Sequence, residues 1–251
     1  MNIINTLNAK LLEQPFEEEL APTMSLAEYQ HIALTYSVME NAIAVLSDLK
    51  LRKSYIYNGS VASRLGISER GRAEKIDSIW EEKILSRIYP DDLLGKHLLE
   101  LQFFHFLKNI PLSERLDYHI ISRMRMRDNS GEYIAIQHRM FYASSHDSMR
   151  LALCIYTLSE NSNLPNTYEG MIANSATGKS MKPDKQNNNI LSVREKEILR
   201  LIAKGKMSKD IADSLSISIN TVNRHRQNIL EKLRVKNSIE AYRVAEYMEI
   251  L

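Results

Sequence analysis

Between Ile217 and Leu233 the chain reads ISINTVNRHRQNILEKL, and the side chains with the most specific chemistry are concentrated there. Arginine can fork two hydrogen bonds to O6 and N7 of guanine, and asparagine or glutamine can bridge N6 and N7 of adenine. Asn220, Asn223, Arg224 and Gln227 recur at steps of three and four, so a helix would align them on one side, followed by Glu231. Val222, Ile229, Leu230 and Leu233 then fall on the opposite, buried side. No acidic residue occurs between Ile219 and Leu230, as closeness to phosphates requires. A solvated surface helix could show the same spacing, so the neighbouring elements decide between the two readings.

Those neighbours read as helices. LSVREKEILRLIAKG opens with Ser192 and Glu195 at capping-box spacing and closes at Gly205, a natural C-cap, with Leu191, Ile198, Leu199, Leu201 and Ile202 as its buried stripe. A short helix from Ser208 turns Ile211, Ala212 and Leu215 inward and ends in the turn Ser216-Ile217-Ser218. Three residues leave no room for a parallel stack, so the following helix, capped by Ser218 or Asn220, must cross sharply: this is helix-turn-helix geometry. Lys206, Ser208, Lys209, Thr221, His225, Arg226 and Asn228 flank the base-reading side and are assigned to backbone phosphates. A fourth helix, SIEAYRVAEYMEIL, is capped by Asn237 or Ser238 and aligns Ala241, Val244 or Ala245, and Met248.

Over about 50 consecutive residues this region resembles the LuxR-type (GerE-like) helix-turn-helix. The resemblance is carried by the Leu191-x-x-Arg194-Glu195 start, the Gly205 break, Ile211-Ala212, Ile217-Ser218, Thr221-Val222, His225 and Lys232-Leu233. It implies that Asn223, Arg224 and Gln227 read bases, that Thr221 and His225 lie near the DNA backbone, and that the fourth helix pairs two subunits; that helix could equally be the fourth wall of the small core. The chain departs from the pattern at Met207 and Ser208, where a small polar residue and Asn are common, and at Arg234, where a small residue or Gly is common.

A chain of 251 residues suits two domains. Net charge is +2, but residues 190–251 carry 12 Lys and Arg against 8 Asp and Glu, while the remainder carries 21 against 23, so the positive excess lies where a polyanion would bind. One Cys excludes a disulfide framework, and no CxxC or HExxH spacing exists to hold zinc. No GxSxG elbow or paired carboxylates suggest an enzyme, and ATGKS lacks the first Gly of a phosphate loop, that position being Ala173. The first residues contain no basic segment followed by an apolar run, and no 18-residue apolar stretch occurs. A cytoplasmic protein without a membrane partner is expected.

The front of the chain mixes periodicities. SLAEYQHIALTYSVMENAIAVL reads as a helix with Leu26, Tyr29, Ile32 or Ala33, Tyr36 and Met39 inward. IAVLSD and SYIY read as strands, SVASRLG as a short helix stopped by Gly66, and the run from Ser78 to Lys108 as two helices split at Pro90-Asp91, with Asp91 or Asp92 capping the second. LDYHIISRMRMRDNSGEYIAIQHRMFYAS is a hairpin turning at residues 128–131, MRLALCIYTLS is a further strand, and GMIANSATGKSM forms a short hairpin around Ala176-Thr177-Gly178. Strands, then helices, then antiparallel strands make an α+β domain. SYIYNGSVASRLGIS, IYPDDL, the hairpin and LCIY together resemble a PAS domain over roughly residues 40–160. Relatives of that kind bind haem, flavin, a metabolite or nothing. Here Cys154 lies in a strand rather than beside a flavin and reads as core, His97 and His105 read as packed or surface residues rather than haem ligands, and Arg123, Arg125 and Arg127 read as a solvated strand face.

The sequence therefore predicts an α+β protein with a PAS-like antiparallel sheet and helices followed by an all-α four-helix LuxR-type domain. The expected divisions are residues 1–41, an N-terminal helical segment; 42–160, the PAS-like domain, with a hairpin extension to about 181; 182–189, a linker; and 190–251, the helix-turn-helix domain. The expected function is a bacterial, non-enzymatic, sequence-specific transcription regulator whose first domain senses a signal or sets dimer state. Expected partners are double-stranded DNA, a second copy, an unidentified small molecule in the PAS-like domain and RNA polymerase; no metal or cofactor is expected. The alternative is a sensory or interaction module whose helical C-terminal domain docks on a protein.

Overall fold

The computed structural model describes residues 3–16, 25–145, 148–182, 191–233, 235 and 237–247. The chain divides into two compact units, Ala9–Pro183, and Asp184–Leu251 together with Met1–Asn8. One antiparallel sheet with helices fills the first unit and the described part of the second is helical, which is the α+β class read from the sequence. Among the described residues no helix is long and apolar enough to cross a membrane.

The sheet has the order β3-β2-β1-β6-β5-β4-β7-β8. Its strands are β1 (Ile43–Asp48), β2 (Lys53–Asn58), β3 (Ala73–Ile76), β4 (Tyr118–Arg127), β5 (Tyr133–Ser145), β6 (Ser148–Leu158), β7 (Glu169–Asn174) and β8 (Ser180–Met181). The β4–β5 turn forms because Asp128 Oδ1 accepts from the Ser130 amide and hydroxyl and from the Glu132 amide, while Gly131 takes φ +94°. The β7–β8 hairpin turns at Gly178, φ +69°, as expected. The strand β3 was not expected: AEKI alternates between exposed and half-buried, too short and too polar to register as a period-two signal.

Helices precede and interrupt the strands: α1 (Ile3–Leu12), α2 (Leu26–Met39), α3 (Ser60–Arg64), α4 (Glu82–Leu85) and α5 (Pro90–Lys108), with a 3-10 turn at Leu112–Asp117. Beyond α1, Gln14 is pinned to β6, donating to the Met149 carbonyl at 3.2 Å and accepting from the Met149 amide at 3.0 Å. A Ser25–Glu28 capping box starts α2, which lays Tyr29, Ile32, Ala33 and Tyr36 against Ala44, Leu46, Leu151, Leu153 and Ile155 on one face of the sheet. Met39, expected inward, is exposed, because the helix ends as the chain turns into β1. On the other face α5 stacks Phe103 on Tyr142 at 5.7 Å. Both faces being covered, β1 is buried at every position.

The start of α5 departs from the sequence reading. Tyr89 is its N-cap, with Pro90 in the first turn, and neither Asp91 nor Asp92 caps it. Instead the fully buried Asp92 accepts from Arg125 of β4 three times: the amide at 2.7 Å, Nε at 3.0 Å and Nη2 at 2.6 Å. The guanidinium lies 3.9 Å from the Tyr89 ring centroid. Arg123 donates to Ser159, Glu169 and the carbonyls of Asn161 and Asn163. The arginine stripe is thus structural at two of its three positions, because helix and loop close over a strand edge that sequence alone leaves open. Close approach elsewhere requires glycine: a Cβ on Gly95 would stand 2.7 Å from the Tyr168 ring, and one on Gly170 2.5 Å from Leu99.

His97 is buried edge-on to Trp80 at 5.6 Å, and its Nε2 has no hydrogen-bond partner among the described residues. Burial, aided by the Lys96 charge, pushes its pKa from 6.5 down to about 3. The folded state therefore binds fewer protons than the unfolded state between these values, and the stability this gives is complete above about pH 6.5 and lost as pH falls towards 3. Thermal denaturation should register a loss on the order of 3 kcal/mol from this residue by pH 4. His97→Phe should flatten that part of the profile.

Candidate nucleic-acid interface

Four helices build the second unit: α6 (Val193–Ala203), α7 (Ser208–Leu215), α8 (Ile219–Leu233) and α9 (Ser238–Tyr247). Ser192 and Glu195 form the expected capping box, the Ser192 amide donating to Glu195 at 2.7 Å and the Glu195 amide to Ser192 Oγ at 3.3 Å. The same buried carboxylate accepts from Lys232 Nζ at 2.7 Å, joining the start of α6 to the end of α8. Burial would push the Glu195 pKa up, but hydrogen bonds from Lys232 and Ser192 outweigh it and hold the carboxyl below its ordinary value. Next to it, Arg194 donates to the Leu215 carbonyl at 2.8 Å and fixes the last turn of α7. Neither tie was foreseen, since no local spacing rule links residues 37 or 21 positions apart.

The turn between α7 and α8 depends on Ser216, which sits in the left-handed region at φ 52° and lets the Ile217 amide reach the Ala212 carbonyl at 3.0 Å. Ser218 caps α8, accepting from the Thr221 amide at 3.1 Å, with the Thr221 hydroxyl at 2.8 Å. Ile211, Ala212, Val222, Ile229 and Leu233 are buried between the helices. The start of α7 is weaker: Met207 stands at the N-cap, offers no side-chain cap, and only its amide is satisfied, by Asp210 at 3.1 Å.

Opposite the buried side of α8, Asn220, Asn223, Arg224 and Gln227 are all exposed. The side chains of Asn220, Asn223 and Arg224 have no hydrogen bond or ion pair among the described residues, while Gln227 Nε2 donates to Glu231 at 3.0 Å. Lys206 and Lys209 are exposed at the start of α7. Thr221, His225 and Asn228 are half-buried along the flanks. Arg226 and Ser208 are turned to each other: the guanidinium donates to Ser208 Oγ at 3.1 Å and to Ser238 Oγ at 3.3 Å, bracing α7, α8 and α9. Asn237 caps α9, accepting from Glu240 at 2.9 Å. Ala241, Val244 and Ala245 are buried and so form the fourth wall of the core, while Met248 and Arg234 lie outside the described residues. In the first unit His97 and Cys154 are buried and His105 is exposed.

Residues 189–245 match the family "GerE: Bacterial regulatory proteins, luxR family". The chain is similar to the transcriptional regulatory protein DesR of Bacillus subtilis (strain 168), 57% identical over 53 residues, covering 21% of this chain and 27% of that protein. It is also similar to the response regulatory protein YgeK of Escherichia coli (strain K12), 47% identical over 64 residues, covering 26% and 44%. The chain thus spans less than half the length of these curated relatives. A solved Vibrio cholera VqmA–ligand–DNA complex aligns over 91% of each chain at 14% identity and a TM-score of 0.29, a likeness that carries no functional weight.

Two substitutions test the scaffold. Glu195→Ala removes the carboxylate half of the capping box and the ion pair to the half-exposed Lys232, and should lower stability by about 1–2 kcal/mol in urea denaturation. Met207→Ser supplies the missing cap and should raise it by about 0.5–1 kcal/mol.

Proposed function

Taking as premise a LuxR-type helix-turn-helix over residues 189–245, we propose that this protein is a sequence-specific transcription regulator that reads the major groove with α8. The observation that carries the reading is the exposed row Asn220, Asn223, Arg224 and Gln227, backed by a buried apolar side and free of acidic residues until Glu231. Arg224 is assigned to guanine and the three amide side chains to adenine edges, Gln227 releasing Glu231 on binding. Lys206, Lys209, Thr221, His225 and Asn228 contact phosphates, the lysines by charge and the others by hydrogen bonds. Ser208 and Arg226 act at the same surface by holding α7 against α8 and α9.

One such unit covers a half-site, so the active form is a dimer reading two half-sites about one helical turn apart. Residues 42–160, extended by the β7–β8 hairpin to about 181, form the PAS-like domain that sets this pairing in response to a small molecule, and residues 182–189 are assigned as its link to the DNA-binding unit. The internal placement of Ala241, Val244 and Ala245 argues that the apolar face of α9 is not the pairing surface.

Fluorescence anisotropy on duplex DNA at several salt concentrations tests the assignment. Lys209→Ala should weaken binding to all sequences alike and reduce the slope of log K against log salt by about 1. Arg224→Ala should cost about 1–3 kcal/mol on the preferred sequence and much less on others. Equal loss on every duplex would reassign Arg224 to a phosphate.

A further inference from the structure

The sheet face beneath α5 carries a polar row where apolar packing is the rule. Ser122, His138 and Tyr156 are neighbours across β4, β5 and β6. Ser122 Oγ lies 3.3 Å from His138 Nδ1, the His138 and Tyr156 rings are 4.8 Å apart, and the Tyr156 hydroxyl donates to Glu81 at 3.0 Å. Onto this row α5 lowers Lys96 and Glu100, a buried ion pair at 2.6 Å. Cys154 stands on the same face, and one ligating atom each of Glu100, His138 and Cys154 lie within 4.8 Å of one another. His138 Nε2 and the Tyr142 hydroxyl are buried without a hydrogen-bond partner among the described residues, and such atoms are costly in a core unless something completes them.

Charge points the same way. Glu81, Lys96 and Glu100 are all buried, and two carboxylates face one ammonium. Low-dielectric surroundings penalise the excess negative charge unless a proton or a cation compensates it.

We propose that Glu100, His138 and Cys154 form a binding site for a borderline-soft divalent cation, with Zn²⁺ the best match, placed inside the sheet domain. Thiolate, imidazole and carboxylate are the three ligand types zinc takes, at about 2.3 Å for sulfur and 2.0–2.2 Å for nitrogen and oxygen, so the present donor atoms need to close by about an ångström. Ser122 holds the His138 ring by its other nitrogen, as partners of metal-bound histidines do. Binding replaces the Cys154 S–H bond with an S–metal bond and releases that proton to solvent, with no change of oxidation state. The thiolate, Glu100 and Glu81 then balance the ion and Lys96. A groove of about 350 Å³ is lined by Trp80, Glu74, Glu81 and Glu82, and Glu81 also holds Tyr156 beside His138. The site is independent of the DNA-reading assignment and its test contains no DNA.

The probe is Co²⁺ titrated into the reduced full-length protein, followed by absorption, with Zn²⁺ as competitor. The expected result is about one Co²⁺ per chain with a thiolate-to-cobalt charge-transfer band, displaced by Zn²⁺. Cys154→Ser, a one-atom change, should abolish the band, and His138→Asn, which keeps a group near Ser122 but removes Nε2, should weaken binding by roughly tenfold or more. Circular dichroism verifies that each variant is folded. Absence of the band in the folded wild-type protein, or its persistence in Cys154→Ser, would overturn the proposal.

Discussion

The carboxylate of Glu195 meets three demands at once: it accepts the Ser192 amide at the start of α6, its own backbone is capped in return, and it binds Lys232 at the far end of α8. Removing it would leave an orphan amide and free the end of the helix proposed to read DNA. Arg194, one residue earlier, performs the companion task by holding the last carbonyl of α7. Two adjacent side chains on α6 therefore set where both limbs of the helix-turn-helix lie. Arg226 adds a third brace through Ser208 and Ser238. Because these ties occupy the inward polar groups, the outward row on α8 is left for solvent or a ligand.

In the sheet domain the deciding constraint is coverage of both faces. With α2 on one and α5 on the other, the central strands β1 and β6 lose the alternation that β2 and β4 keep, and polar residues of α5 are carried into the interior. Each buried charge then needs a partner: Asp92 finds Arg125, and Lys96 finds Glu100. The α5 sequence PDDLLGKHLLELQFFHFLK spreads its polar residues round the helix rather than along one face, and Lys96, His97 and Glu100 are all buried.

This explains which parts of the molecule could be read from its sequence. Local signals were legible: the Ser192–Glu195 box, the Gly66, Gly131 and Gly178 turns, the break at Pro90 and the stripe of Val222, Ile229 and Leu233 all act within a few residues. Position along α8 also placed Asn220, Asn223, Arg224 and Gln227 on the exposed side. What sequence hid was long-range. Asp92 reads as a cap by its place at a helix start, yet a strand 33 residues away claims it. Arg226 reads as a phosphate ligand by its type, and its ties to Ser208 and Ser238, 18 and 12 residues away, follow from no local spacing. The Glu100–His138–Cys154 cluster has no motif because its members come from α5, β5 and β6.

The central claim is that the exposed row on α8 reads base sequence, and the most direct measurement is selection of bound duplexes from a random DNA pool by the full-length protein, repeated with Asn223→Ala/Arg224→Ala. The account predicts that the wild-type protein recovers a recurring half-site and that the double variant, still folded and still binding DNA at low salt, recovers none. Recovery of the same half-site by both proteins, or of no preferred sequence by the wild type, would contradict it.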